Sequence, residues 1–151
     1  MSELLTGKRI LITQADQFMG PMLCEVLRAK GATVIADDSD LSMAGVAEKV
    51  VADSGRIDVL VANLSIPAPS TPAAQVSEEE WQAVFAALVS PLPRLCAAVL
   101  PQMVERRAGK ILLMGSASAL RGMKRASTYS AARGAQLAYI QAIGVEMAEH
   151  N

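Results

Sequence analysis

The stretch "RILITQADQFMGPM", residues 9–22, decides the fold of this 151-residue chain. Its first five residues form a continuous apolar run, the run breaks off at Gln14, and a helix-period segment follows. An apolar run without alternation marks a strand buried on both faces, as the strands of parallel sheets are. The same unit recurs along the chain. "ATVIA" (32–36), "DVLVAN" (58–63) and "KILLMG" (110–115) read as further strands of this kind. Helical periodicity predicts helices over 19–30, 41–54, 77–104 and 127–149.

Strands alternating with helices predict an α/β fold, a Rossmann-like doubly wound parallel sheet forming a single domain over residues 1–151. Its boundaries have local causes. Gly31 in "AKGATV" supplies a left-handed residue at a helix C-terminus, and Ser77 with Glu80 has the spacing of a capping box. Asp38 or Ser39 is placed to cap the second helix. Pro91, Pro93 and Pro101 should bend or end the long third helical segment, and "SIPAPSTPAA" (65–74) is a proline-rich loop. The last helix runs to "EMAEHN", where a sheet of this type normally continues with another strand, so the expected sheet lacks its C-terminal strands.

Composition narrows the function classes. With 52% apolar and 19% charged residues and a formal charge of −1, the chain has no electrostatic reason to bind nucleic acid or an anionic membrane. No apolar run approaches the roughly 20 residues of a membrane span, and "MSELLTGKRI" lacks the apolar core of a leader. Cys24 and Cys96 lie in apolar helical contexts and read as reduced core thiols. A cytoplasmic protein with a small-molecule substrate is expected.

Three places carry candidate chemistry. The turn after the first strand is where a dinucleotide-binding fold sets glycines so that backbone amides can approach a pyrophosphate. Of the pattern T-G-x-x-x-G-x-G only Gly20 remains, with Gln14 and Phe18 at the other glycine places. Phe18 then either projects where phosphates lie or packs as a core residue of the turn. Asp37 follows the second strand, where an acidic residue can bond a ribose diol, or it belongs to a solvated turn. Only about twenty residues separate that turn from the next strand, few for the extra elements that wall an adenine pocket.

The third place is "STYSAAR", residues 127–133. Tyr129 and Arg133, spaced i, i+4, share one helix face, and a cation beside a phenol stabilises the phenolate, making the tyrosine a usable general base. Ser116, 13 residues earlier, ends the preceding strand at the edge where ligands bind in open sheets, and its hydroxyl can hold a substrate oxygen. The alternative is a packed tyrosine beside a solvated arginine.

On "GKRILIT", "GRIDVLVAN", "EEWQAVF", "AGKILLMGSAS" and "STYSAAR", the chain resembles the short-chain dehydrogenase/reductase superfamily along nearly its whole length. In that superfamily a serine and tyrosine activate a carbonyl or alcohol and a lysine binds nicotinamide ribose; Ser116 and Tyr129 match, whereas Arg133 departs. Arg133, Phe18 with Gln14, Leu88 at the place of a relay asparagine, and "QFMGPM" resemble the halohydrin dehalogenase branch. That resemblance implies a Ser116–Tyr129–Arg133 lyase that needs no cofactor and converts vicinal halo-alcohols to epoxides plus halide, or opens epoxides with small anions. Phe18 and Asn63 would line the halide side, with Ser118, Met123 and Ala126 near the substrate. It also implies a homo-oligomer built through helices 77–104 and 127–149. Two alternatives stand beside it: an NAD or NADP-dependent oxidoreductase using Gly20, Asp37 and Asn63 for its cofactor, and a non-catalytic remnant that only assembles. No metal site is expected.

Overall fold

The computed structural model describes residues 4–150. Four parallel strands, β1 (Arg9–Thr13), β2 (Thr33–Asp37), β3 (Val59–Ala62) and β4 (Lys110–Leu113), form one sheet in the order β2-β1-β3-β4. The helices are α1 (Gly20–Ala29), α2 (Val46–Ser54), α3 (Glu78–Leu88), α4 (Pro91–Glu105), α5 (Ser118–Arg121) and α6 (Ser127–Met147). The result is the Rossmann-like α/β architecture that the alternation predicts.

Register and side-chain alternation build the core. Leu11 on β1 pairs with Ile35 and with Leu60, and Leu60 with Ile111. Successive side chains on a strand point to opposite faces. Leu11, Leu60 and Ala62 therefore join Val50 and Val51 of α2, Leu88 of α3, Leu95 and Val99 of α4 and Ala132 of α6 in one cluster. Ile10, Ile12 and Val61 face the other way, onto Cys24, Leu23 and Leu27 of α1. Each fully buried aliphatic side chain contributes about 1.5–3 kcal/mol. Asp58 knits the sheet at its other end. Its carboxylate accepts the Arg9 amide at 2.9 Å, its own amide donates to the Arg9 carbonyl, and its carbonyl accepts the Lys110 amide.

Several expectations are corrected. Burial on both faces holds for β1 and β3, but β2 and β4 are sheet edges, and Leu112 is 51% exposed. The second helix starts at Val46 rather than at residue 41, because Asp40 accepts both the amide and the hydroxyl of Ser42 in an Asx turn. Leu41, a buried core residue, lies in that turn, and Gly45 precedes the helix at φ +81°. Neither Asp38 nor Ser39 caps α2: Asp38 accepts the Asp16 amide and Ser39 donates to Asp37.

The third helical segment is two helices, broken at Val89 and Ser90 ahead of Pro91 and Pro93, which the first turn of α4 tolerates; Pro101 lies inside α4. The stretch Glu78–Glu105, 28 residues with a mean hydropathy of 1.9 in its most apolar window, is long and apolar enough by length and composition to cross a membrane, which corrects the count of apolar runs. Here its Val84, Leu88, Leu92, Leu95 and Val99 are core residues against the sheet. Cys24 and Cys96 are free and buried, and burial pushes the Cys96 thiol up to about 11 against the opposing hydrogen bond with Tyr139.

Candidate active site

All four strands run the same way, so their C-terminal ends share one edge. Gln14 follows β1, Asp37 ends β2, Asn63 follows β3 and Ser116 lies three residues beyond β4. The loop after β3 is tied to the start of α6 by a parallel bridge between Thr71 and Ala126, with the Thr71 amide donating to the Arg125 carbonyl at 2.7 Å. Glu80 adds a second tie. The Ser77 hydroxyl accepts the Glu80 amide at 3.1 Å as a capping box requires, but the Glu80 carboxylate accepts from Thr71 at 2.6 Å and Thr128 at 2.7 Å instead of reaching back. Tyr129, next to Thr128 in the first turn of α6, is thereby fixed at the carboxyl edge of the sheet.

The turn after β1 keeps a glycine-type backbone without the glycines. Gln14 and Phe18, at the two substituted places, have φ of +45° and +51°. These lie in the left-handed region that costs a non-glycine residue about 1–2 kcal/mol. Asn63 holds the turn in place. It is buried, and its Nδ2 donates to the carbonyls of Gln14 at 2.9 Å and Gln17 at 3.1 Å. The Gln14 side chain folds back to accept the Ser65 amide at 2.6 Å. At Gly20 an added Cβ would sit 2.5 Å from the Ala15 carbonyl oxygen, so the turn closes onto the helix start only with glycine there. Phe18 is 65% exposed, so it is not a core residue of the turn. The N-terminus of α1 has no side-chain cap.

On the other half of the edge, the Ser116 hydroxyl lies 2.9 Å from that of Ser118 and accepts the Ser118 amide at 3.2 Å. Tyr129 is half-buried and packs on the core. Arg133 is only 2% exposed, which corrects the picture of a solvated charge. Its Nη1 donates to the Met114 carbonyl at 3.1 Å and to the Gln136 Oε1 at 2.9 Å. Its Cζ stands 4.9 Å from the centroid of the Tyr129 ring, a cation over the ring face. Ser118 is buried, as is Ala126, which immediately precedes α6. Met123 is exposed, and its amide donates to Ser130. Gln136 is the residue the sequence reading passes over, since a glutamine on a helix carries no sign of being buried.

Among the described residues, three buried side-chain atoms have no hydrogen-bond partner: Asp37 Oδ2, Asn63 Oδ1 and Arg133 Nε. Buried polar atoms are nearly always satisfied, and each exception calls for an explanation such as strain, a catalytic role or a bound water or ion. All three belong to residues of this edge. An acceptor at the end of β2, a glycine-type turn and an uncapped helix start fit a ribose and a pyrophosphate.

A Rossmann-like sheet with a serine beyond its last strand and a tyrosine–cation pair on α6 defines an enzyme of the short-chain dehydrogenase/reductase class. The family described as short chain dehydrogenase matches residues 37–151, and the chain belongs to it. A curated relative, the 5-keto-D-gluconate 5-reductase of Escherichia coli K12, is 30% identical over 97% of this chain and 68% of its own length. A solved structure described as a dehalogenation enzyme superposes with a TM-score of 0.90 at 27% identity, over 97% of this chain and 69% of that one. A 3-oxoacyl (acyl-carrier-protein) reductase from Agrobacterium tumefaciens C58 with NADP bound superposes at 0.88 and 22% identity, over 99% and 68%.

These findings overturn the expectation of a site without cofactor. The chain belongs to a dehydrogenase family, and a relative 30% identical to it is a reductase. The physical reason is in the turn: Gln14 and Phe18 have side chains at the places of glycines, yet both keep a positive φ, the backbone region that glycine favours.

Proposed function

We propose that this protein is a nicotinamide-dependent oxidoreductase acting on the carbonyl or hydroxyl group of a small molecule. The observation that carries the reading is that the three unpartnered buried atoms, on Asp37, Asn63 and Arg133, all belong to the edge that carries Ser116 and Tyr129. Asp37 would bond the ribose diol, which favours NAD(H) over a cofactor whose 2′-phosphate its carboxylate would repel. The turn from Gln14 to Gly20 and the start of α1 would receive the pyrophosphate.

A nicotinamide, when bound, supplies or accepts the hydride. The chain's own residues handle the oxygen and the proton. Ser116 donates a hydrogen bond to the substrate oxygen and holds it beside Tyr129. The Tyr129 hydroxyl delivers its proton to that oxygen in reduction, and its phenolate takes the proton back in oxidation. Arg133 keeps a fixed positive charge against the ring while this charge moves.

The test is oxidation of NADH and NADPH by purified protein with small oxo-acids and ketones, with Tyr129→Phe as control. Substrate-dependent oxidation that disappears in the variant supports the reading. Equal rates in the two proteins would refute the role of Tyr129.

A second reading has its own support. The structural neighbour described as a dehalogenation enzyme, together with Arg133 where dehydrogenases of this class carry lysine, favours displacement of halide from a vicinal halo-alcohol through the same Ser116 and Tyr129. Halide release that requires Tyr129 is its test.

A further inference from the structure

We propose that Gln136 is a positioning residue that fixes the Arg133 guanidinium against Tyr129. Gln136 is wholly buried, an unusual place for glutamine. Its Oε1 accepts from Arg133 Nη1 at 2.9 Å and its Nε2 donates to the Leu88 carbonyl. The orientation of the amide is forced, because a guanidinium only donates and a carbonyl only accepts. One side chain must therefore offer an acceptor and a donor at once, which the glutamine amide does without a charge.

The absence of charge matters. No described carboxylate pairs with Arg133, so its cation is held by a carbonyl, an amide and an aromatic face and is not neutralised. A glutamate at 136 would hold the guanidinium equally well but cancel that charge and turn an acceptor oxygen, in place of a donor, toward the Leu88 carbonyl. Leu88 has an apolar side chain where the resembling dehydrogenases carry a relay asparagine, and here its backbone carbonyl anchors the Arg133 clamp instead. The i, i+3 spacing of Arg133 and Gln136 puts both on one face of α6. Arg133 Nη1 keeps only the Met114 carbonyl if Gln136 is removed.

The kinetic half of this inference rests on the oxidoreductase reading, but the structural half is readable without turnover. The experiment is side-chain nitrogen NMR of the Arg133 guanidinium in wild type, Gln136→Met and Gln136→Glu, with Arg133→Lys assigning the signals. In wild type the Nη protons should be individually resolved, since the hydrogen bonds slow rotation of the group. In Gln136→Met they should average, and the Tyr129 ring signals should move. In Gln136→Glu they should stay resolved.

Turnover should fall about tenfold or more in both variants, with KM for the nucleotide within about twofold, as expected when an interaction made in the transition state is lost. Arg133 signals unchanged in Gln136→Met would overturn the proposal, as would averaged signals with unaltered turnover. If Gln136→Met does not fold, Gln136→Glu decides: resolved Arg133 signals with lost turnover support the proposal, and unaltered turnover overturns it. If wild type reduces nothing, the NMR comparison still decides positioning, and only the proposed function falls.

Discussion

Arg133 lies over the face of the Tyr129 ring, its Cζ 4.9 Å from the ring centroid, and does not point at solvent. A planar guanidinium both stacks on the ring and donates along its edge to Met114 and Gln136. An ammonium at the end of a lysine stem is a point charge and does not reproduce this. Arg133→Lys should therefore keep the fold but lower kcat about tenfold. Steady-state kinetics beside a thermal melt separates the two effects, and an unchanged kcat would remove the stacked geometry from the account.

Asn63 ties the end of β3 to the turn after β1 through two carbonyls. Asn63→Leu retains the bulk and leaves both carbonyls without their donor, which should destabilise by about 1–3 kcal/mol per lost buried bond. Nucleotide affinity should fall with it, because the turn is no longer held. Chemical denaturation and titration with reduced nicotinamide measure the two consequences.

The turn makes opposite demands at Gly20 and Phe18. Gly20→Ala places a methyl 2.5 Å from the Ala15 carbonyl oxygen and 2.6 Å from that of Gln14, both backbone atoms that cannot step aside. A loss of several kcal/mol is expected, in the range of other overpacked sites. Phe18→Gly relieves a positive φ and removes an exposed ring, so stability should stay within about 1 kcal/mol. Affinity for the dinucleotide should rise. Lower affinity in that variant would mean that the Phe18 ring contributes to the ligand.

Asp58 sets an acid limit on the fold. Burial alone pushes its carboxyl up, but the Arg9 amide and the Arg56 guanidinium outweigh burial and hold it below the usual carboxylate range. A carboxyl lowered in the folded state contributes stability above about pH 4, and this is lost as pH falls through the lower folded value. The melting temperature should drop as pH falls from about 5 to about 3, and Asp58→Asn should flatten that part of the profile.

The sheet was legible because its strands are apolar runs set between helical periods, and the approach of Arg133 to Tyr129 was legible from their i, i+4 spacing. What escaped depends on tertiary contact. Leu41 looks like the first turn of a helix by periodicity, yet it is buried in a turn that Asp40 shapes through Ser42. The substitutions at Gln14 and Phe18 spoil a glycine motif in letters while the backbone keeps its shape, because Asn63 and Ser65 hold the turn from the next strand. Gln136 gave no signal, since only the approach of Leu88 on another helix turns it into a buried link.

The most direct measurement is equilibrium titration of the wild-type protein and Asp37→Ala with NADH and NADPH, followed by nicotinamide fluorescence. Saturable binding, tighter for NADH and weakened in Asp37→Ala, is the predicted result. Absence of binding to either nucleotide at millimolar concentration, in protein shown to be folded, would contradict the account.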